Sequence, residues 1–243
     1  GASPVIFSII GPVTPLVYVL VSLIIAVFAI GYLKMSHHVV SAGGFVAYIA
    51  RGLGKPFATG GAGIVIVTYI SLQVGLWSQF GVFAQQLAAD LLGIDLPVWA
   101  WILIFLVVTT ALTMLGDDLN LRILGVLLIL EMVAVAALVI GVFANSAGKD
   151  LSLVSFAPSQ LAQPGLGVAI LFVFACFTTF EATTVFSEEA REPRRTIPRA
   201  LVGVVVFVGV FYTLATWAVS VAVGPDNIQD AAAYDLAGNI FAV

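Results

Sequence analysis

Apolar residues fill most of this chain in long runs that few charged residues interrupt. A helix that crosses roughly 30 Å of hydrocarbon needs about 20 predominantly apolar residues. Six runs reach that length, at residues 13–33, 57–82, 97–116, 121–144, 165–187 and 199–223. Four of them begin at prolines, where the first turn of a helix tolerates that residue: Pro12 and Pro15, Pro56, Pro97 and Pro198. The pattern predicts an all-α integral membrane protein, with residues 1–243 forming a single transmembrane domain.

Composition supports this class and narrows the chemistry. Hydrophobic residues make up 61% of the chain, charged residues 9%, and the mean hydropathy is +1.16, values that exclude a soluble globule and a disordered chain. The single cysteine, Cys176, excludes a disulfide framework and a multi-cysteine metal site. We therefore expect the lipid bilayer as surroundings, with no metal, no cofactor and no nucleic acid as partner.

The basic residues predict the orientation, because Lys and Arg collect in cytoplasmic loops. If residues 34–55 are cytoplasmic, only Lys149 lies outside, and the basic residues inside are Lys34, Arg51, Lys55, Arg122, Arg191, Arg194, Arg195 and Arg199. This predicts a multi-pass protein of the cytoplasmic membrane with both chain ends outside. Residues 1–11 are apolar but too short to span, and the chain stops as a new apolar run begins. We expect a fragment that lacks at least one span in front and several behind.

Polar groups within the apolar runs are the candidate functional residues. An ionised carboxylate at bilayer depth costs on the order of 2 to 4 kcal/mol, so Glu181 indicates a functional site. Cys176, Thr178 and Thr179 lie close to it in sequence; alternatively, the threonines only bond to carbonyls one turn earlier and bend the helix. Glu131 has no Lys or Arg at its depth, and a carboxyl group without a cation tends to be protonated and can carry a proton. The alternative for Glu131 is a hydrogen bond to a neighbouring helix.

Two further stretches carry helical spacing. Tyr69 and Gln73 lie four residues apart, on one face of the second span, and we expect that face to look into the bundle, either at a ligand or only at another helix. Between the first two spans, Phe45, Tyr48 and Ile49 predict a short helix against the inner face.

Two segments resemble amino acid permeases of the amino acid-polyamine-organocation (APC) superfamily. GYLKMSHHVVSAGGFVAYIARGLGKP is similar to the loop after their second span, and FTTFEATTVFSEEAREPRRTIPRA to their sixth span and the loop after it. The resemblance implies the inverted-repeat (5+5 helix) transporter fold with broken first and sixth helices, of which the six runs would be helices two to seven.

The same resemblance implies the site. The amino group of a substrate would meet carbonyls at the break in helix six, at Ala175, Cys176, Phe177, Thr178 and Thr179, with Phe177 as an aromatic lid. Its carboxylate would meet amides at the break in helix one, whose remnant includes Ala2 and Ser3. Tyr69 and Gln73 complete the expected substrate-binding set, and Glu181 would accept hydrogen bonds from amides freed by the break. Thr179 stands where the family usually has glycine, which leaves the point of unwinding open.

These features favour secondary active transport of amino acids or related amines. Several family members are similar in having a lysine in the fifth helix, where sodium-coupled relatives bind the ion. Here that neighbourhood offers Glu131, which favours proton coupling or exchange over sodium. The scarcity of buried cations favours an uncharged or cationic substrate. Cys176 has no histidine near it in sequence, which argues against an enzyme. A channel would need an open polar lumen through several helices, whereas the polar residues here concentrate on two faces at one depth. The alternative is a non-transporting membrane subunit or scaffold of the same fold.

Overall fold

The computed structural model describes residues 3–39, 41, 43–114, 117–145, 153–178, 180 and 193–230. All regular structure within these ranges is helical, which confirms the all-α prediction. The α-helices are α1 (Ser3–Ile10), α2 (Thr14–His38), α3 (Gly44–Gly52), α4 (Lys55–Leu92), α5 (Val98–Met114), α6 (Asp117–Asn145), α7 (Leu166–Cys176) and α8 (Pro193–Val223). Short 3₁₀ helices lie at Gly11–Val13, Leu153–Phe156 and Pro158–Leu161.

Four helical stretches in the described part of the chain are long and apolar enough to cross a membrane. They are Ser3–Met35, Lys55–Leu92, Leu121–Asn145 and Arg195–Val223, while Val98–Met114 and Leu166–Cys176 are shorter apolar helices. Each of the six predicted spans overlaps one of these stretches. The chain is therefore a multi-pass membrane protein.

The segment before the first predicted span, which was expected only to be too short to cross a membrane, forms a helix of its own. Residues Ser3–Ile10 form α1, and the 3₁₀ turn Gly11–Val13 joins α1 to α2. Gly11 turns the chain with a φ of +54°, a conformation that side chains other than glycine rarely adopt. The Thr14 hydroxyl donates to the Gly11 carbonyl at 2.8 Å, which gives a buried polar group of the turn a partner.

The described residues divide into two compact units. The first contains Gly1–Gly61 and Val135–Val243, and the second contains Ala62–Ala134. Within the second unit, Gly81 allows α4 to approach α5 closely: a Cβ added there would lie 2.7 Å from Cγ1 of Ile102. The rings of Phe80 and Phe105 stack beside this contact with centroids 3.9 Å apart.

In the first unit, α2 packs most extensively against α8 and also contacts α7. The buried face of α2 carries Val17, Val21 and Ile25, and α8 contributes Leu201 and Val205. Hydrocarbon surroundings give no hydrophobic drive to helix association, so close packing of small residues matters most. Gly209 of α8 and Ser22 of α2 provide such a contact, because a Cβ on Gly209 would lie 2.6 Å from the Ser22 hydroxyl oxygen.

The predicted short helix between the first two spans is present as α3 and packs on the end of α2 through aromatic rings. The ring centroid of Tyr32 lies 4.8 Å from that of Phe45 and 5.1 Å from that of Tyr48. Phe180, just after α7, approaches Tyr32 at 6.0 Å. Aromatic contacts of this kind add to the stability that burial provides. They attach both α3 and the chain that follows α7 to the end of α2.

Candidate functional site

The start of α1 and the end of α7 meet at the side chain of Tyr18. The Tyr18 hydroxyl lies 3.4 Å from Oγ of Ser3, the first residue of α1. It lies 3.5 Å from Sγ of Cys176, the last residue of α7, although Tyr18 and Cys176 are 158 positions apart in sequence. Tyr18 is fully buried, and its ring stacks on Tyr212 of α8 with centroids 5.3 Å apart. Four helices of the first unit thus contribute to one polar point inside an apolar core.

The backbone explains why α7 ends at Cys176. The amide of Phe177 donates to the carbonyl of Phe174 at 3.0 Å, and the amide of Thr178 donates to that of Ala175 at 3.2 Å. Bonds over three residues replace the four-residue pattern, which tightens the last turn and ends an α-helix. The Thr178 hydroxyl also points back to the Phe174 carbonyl, at 3.4 Å. The helix therefore ends where the resemblance placed the break in helix six.

The other end of α1 is held by side-chain amides. Nε2 of Gln163 donates to the carbonyl of Ile10 at 3.3 Å. Nε2 of Gln229 lies 3.3 Å from the carbonyl oxygen of Ser8 and 3.4 Å from that of Ile9. The last carbonyls of a helix have no hydrogen-bond donors within that helix. The side-chain amides of these two glutamines provide donors from outside it. They connect α1 to the chain before α7 and to the chain after α8.

Gly165 brings the beginning of α7 against α1. It precedes α7 with a φ of +87°, and a Cβ added there would lie 2.6 Å from Cγ2 of Ile9. Glycine is the residue that adopts such a φ without strain, and here it also leaves room for the Ile9 side chain. Contacts between α1 and α7 are among the most extensive in the first unit.

The predicted site residues fall into three groups. Ser3, Ala175, Cys176, Phe177 and Thr178 lie in the first unit, where Ser3 and Cys176 converge on Tyr18 and the Phe177 ring is buried in the core. Tyr69, Gln73 and Glu131 belong to the second unit, and their side chains are exposed there. Ala2, Thr179 and Glu181 lie outside the described residues.

Sequence reasoning missed Tyr18, Gln163 and Gln229. Tyr18 carried a usable signal, because a hydroxyl inside the apolar run 13–33 must find a partner. The two glutamines lie in connecting segments without periodicity, and their partners are backbone carbonyls distant in sequence. No sequence pattern identifies such a contact.

A cavity of about 290 Å³ lies between α2 and α8, beside the contact of Ser22 and Gly209. Most of its lining is apolar, and Thr213 is the other hydroxyl on its wall. None of the residues predicted to bind substrate lines it. Among the described residues, no three His, Cys, Asp or Glu side chains lie close enough together to hold a metal ion.

Several membrane-length helices, with two shorter helices whose ends meet at a buried polar point, define the class of multi-pass membrane proteins. The comparison with family models gives the particular family. The amino acid permease family model matches residues 2–240, so this chain belongs to the amino acid permease family. No curated protein and no solved structure matches the chain. Amino acid transport is the function of this family.

Proposed function

We propose that this protein carries an amino acid across the cytoplasmic membrane by secondary active transport, and that it binds the substrate where the start of α1 meets the end of α7. The observation that carries the proposal is the convergence of Ser3 and Cys176 on Tyr18. The first turn of a helix has unpaired amides and a partial positive charge, which suit a carboxylate. The last turn has unpaired carbonyls and a partial negative charge, which suit an ammonium group. Opposite helix ends at one point match an amino acid zwitterion.

The substrate class follows from the charges around this point. Ser3, Tyr18 and Cys176 are uncharged polar residues, and the long apolar helices around them carry few basic residues. An acidic side chain on the substrate would need a cationic partner to offset its desolvation. We therefore propose an uncharged or cationic amino acid, or a related amine, with coupling to protons or exchange for a second substrate.

Cys176 offers a direct test, because it is the only cysteine of the chain. We expect N-ethylmaleimide to alkylate it, and an amino acid present at about ten times its Kd to slow alkylation about tenfold, in proportion to the unoccupied sites. The Cys176→Ser variant, which has no thiol, sets the background. Uptake that saturates without any protection of Cys176 would move the binding site elsewhere. Absence of amino acid uptake by the full-length protein would support the non-transporting alternative.

Proton coupling leads to a prediction for Glu131. Glutamine has a similar shape to glutamate but cannot carry a proton, so Glu131→Gln should leave substrate binding intact and remove most of the increase in uptake that an inward proton gradient produces. The measurement is uptake into vesicles over a range of external pH, with and without the gradient. Glu192→Gln, a change in a connecting segment rich in charge, is the matched control. An unchanged pH profile in Glu131→Gln would leave Glu131 with only a structural role.

The proposed orientation is testable with single cysteines. In a Cys176→Ser background, cysteines replacing Lys149 and Arg194 should react with a membrane-impermeant maleimide from opposite sides. The reason is the concentration of basic residues around Arg194, which retains that loop in the cytoplasm. The experiment compares intact cells with permeabilised cells. Labelling of both positions in intact cells would show that the orientation is wrong.

A further inference from the structure

Tyr18, on which Ser3 and Cys176 converge, is itself a fully buried polar side chain. Its ring is held in a defined position: it is fully buried and stacks on Tyr212 with an interplanar angle of 21°. The backbone at Tyr18 is also engaged, because the Ser22 hydroxyl donates to the Tyr18 carbonyl at 2.6 Å. These contacts come from α2 and α8. The packing of α2 against α8 therefore holds the Tyr18 hydroxyl in place.

The hydroxyl reaches both sides of the proposed substrate site at once. A tyrosine hydroxyl donates one hydrogen bond and can accept others, so it can serve Ser3 and Cys176 together. The distance of 3.4 Å to Oγ of Ser3 is long for a hydroxyl pair, whereas 3.5 Å suits a sulfur contact. A buried hydroxyl needs hydrogen-bond partners, and those of Tyr18 lie at the two helix ends that the proposed function assigns to the substrate.

We propose that Tyr18 is a positioning residue for the amino acid, which sets the separation between the first turn of α1 and the last turn of α7 through its single hydroxyl. The inference rests on the proposed function, since it assigns these two helix ends to the substrate. Tyr18 acts through Ser3 and Cys176. Loss of the Tyr18 hydroxyl should therefore weaken substrate binding more than it slows the maximal rate of transport.

Tyr18→Phe removes the hydroxyl and keeps the ring that stacks on Tyr212. We expect KM for amino acid uptake to rise about tenfold while the maximal rate per transporter stays within about twofold, the pattern of lost binding that is equal in the ground state and the transition state. Tyr48→Phe removes a hydroxyl from another buried tyrosine, which lies in the aromatic cluster of α2 and α3. It should leave KM unchanged. An unchanged KM in Tyr18→Phe would overturn the proposal.

A double-mutant cycle separates positioning from general stability. Cys176→Ala removes the partner of the Tyr18 hydroxyl, whereas Cys176→Ser keeps a group that can hydrogen-bond to it. We expect Cys176→Ser to keep most of the affinity that Cys176→Ala loses, and the effects of Tyr18→Phe and Cys176→Ala on KM to be non-additive, as for residues in contact. Additive effects would overturn the proposal. Ser3→Ala with Tyr18→Phe repeats the cycle on the α1 side if a Cys176 variant does not fold.

Alkylation of Cys176 without substrate tests the contact independently of transport. In Tyr18→Phe the sulfur loses a hydrogen-bond donor that stabilises the reactive thiolate, so we expect N-ethylmaleimide to react several-fold more slowly than in the unchanged protein, while Tyr48→Phe reacts at the original rate. An equal rate in Tyr18→Phe would show that the hydroxyl does not engage Cys176. Slower alkylation in a full-length protein that takes up no amino acid would support the contact and reject the proposed function.

Discussion

Gly165→Ala should reduce amino acid uptake by about tenfold or more, because it introduces both strain and a collision where α7 begins. Gly165 has a φ of +87°, and an alanine held there costs on the order of 1 to 3 kcal/mol. Its Cβ would also lie 2.6 Å from Cγ2 of Ile9, so α7 and α1 must separate. Since the end of α7 and the start of α1 meet at Tyr18, this separation should distort the proposed site. Uptake and surface expression, measured together, distinguish a distorted site from a protein that does not reach the membrane.

Gly167 provides a matched control two residues away. It lies within α7, and a Cβ added there would meet nothing within 4 Å. Gly167→Ala should therefore leave uptake within about twofold, because alanine favours the helix and contacts nothing. Combining Gly165→Ala with Ile9→Ala should recover the part of the loss that is due to the collision and leave the part that is due to strain. Equal uptake in Gly165→Ala and Gly167→Ala would show that the contact between α1 and α7 does not support the site.

The sequence predicted the elements well because membrane spans follow from composition and length alone. Every predicted run overlaps an apolar helix of the structure. The segment 1–11 was predicted only to be too short to span, and the resemblance placed Ala2 and Ser3 in the site. The pattern did not predict that this segment forms a helix, α1, which supplies Ser3 to the proposed site. A count of apolar residues cannot reveal that a short helix is held by packing against α7 and by glutamine side chains. Those contacts depend on tertiary structure.

The candidate site was predictable only in part, and the resemblance contributed more than the pattern. It selected Ser3 and Cys176, which the structure brings to one hydroxyl. Tyr18 itself was overlooked, since one tyrosine in an apolar run looks like any other core residue. Tyr69 and Gln73 were chosen by helical spacing, and their part in substrate binding stays a prediction. Periodicity identifies a shared face but does not identify what that face contacts.

The sequence analysis did not single out the small residues between α2 and α8. Their close contact predicts a large effect of substitution on the stability of the protein. Gly209→Ala should destabilise the protein by about 1 to 3 kcal/mol, the usual cost of forcing a methyl group into a well-packed contact. The added Cβ would lie 2.6 Å from Oγ of Ser22 and 3.0 Å from its Cβ. Cζ of Phe177 would lie 4.0 Å away, which is an ordinary contact, so the collision is with Ser22 and the expected loss is in stability.

Gly203→Ala is the control for Gly209→Ala, because both glycines lie in α8 and a Cβ on Gly203 would meet nothing within 4 Å. Alanine favours a helix over glycine by about 1 kcal/mol, so Gly203→Ala should raise or preserve the melting temperature in detergent. Gly209→Ala should lower it by several degrees, at about 2 to 4 °C per kcal/mol for a chain of this size. Ser22→Gly should restore stability in the Gly209→Ala background, because it removes both of the colliding atoms. If Gly209→Ala melts at or above the temperature of Gly203→Ala, the close contact between α2 and α8 does not hold these helices together.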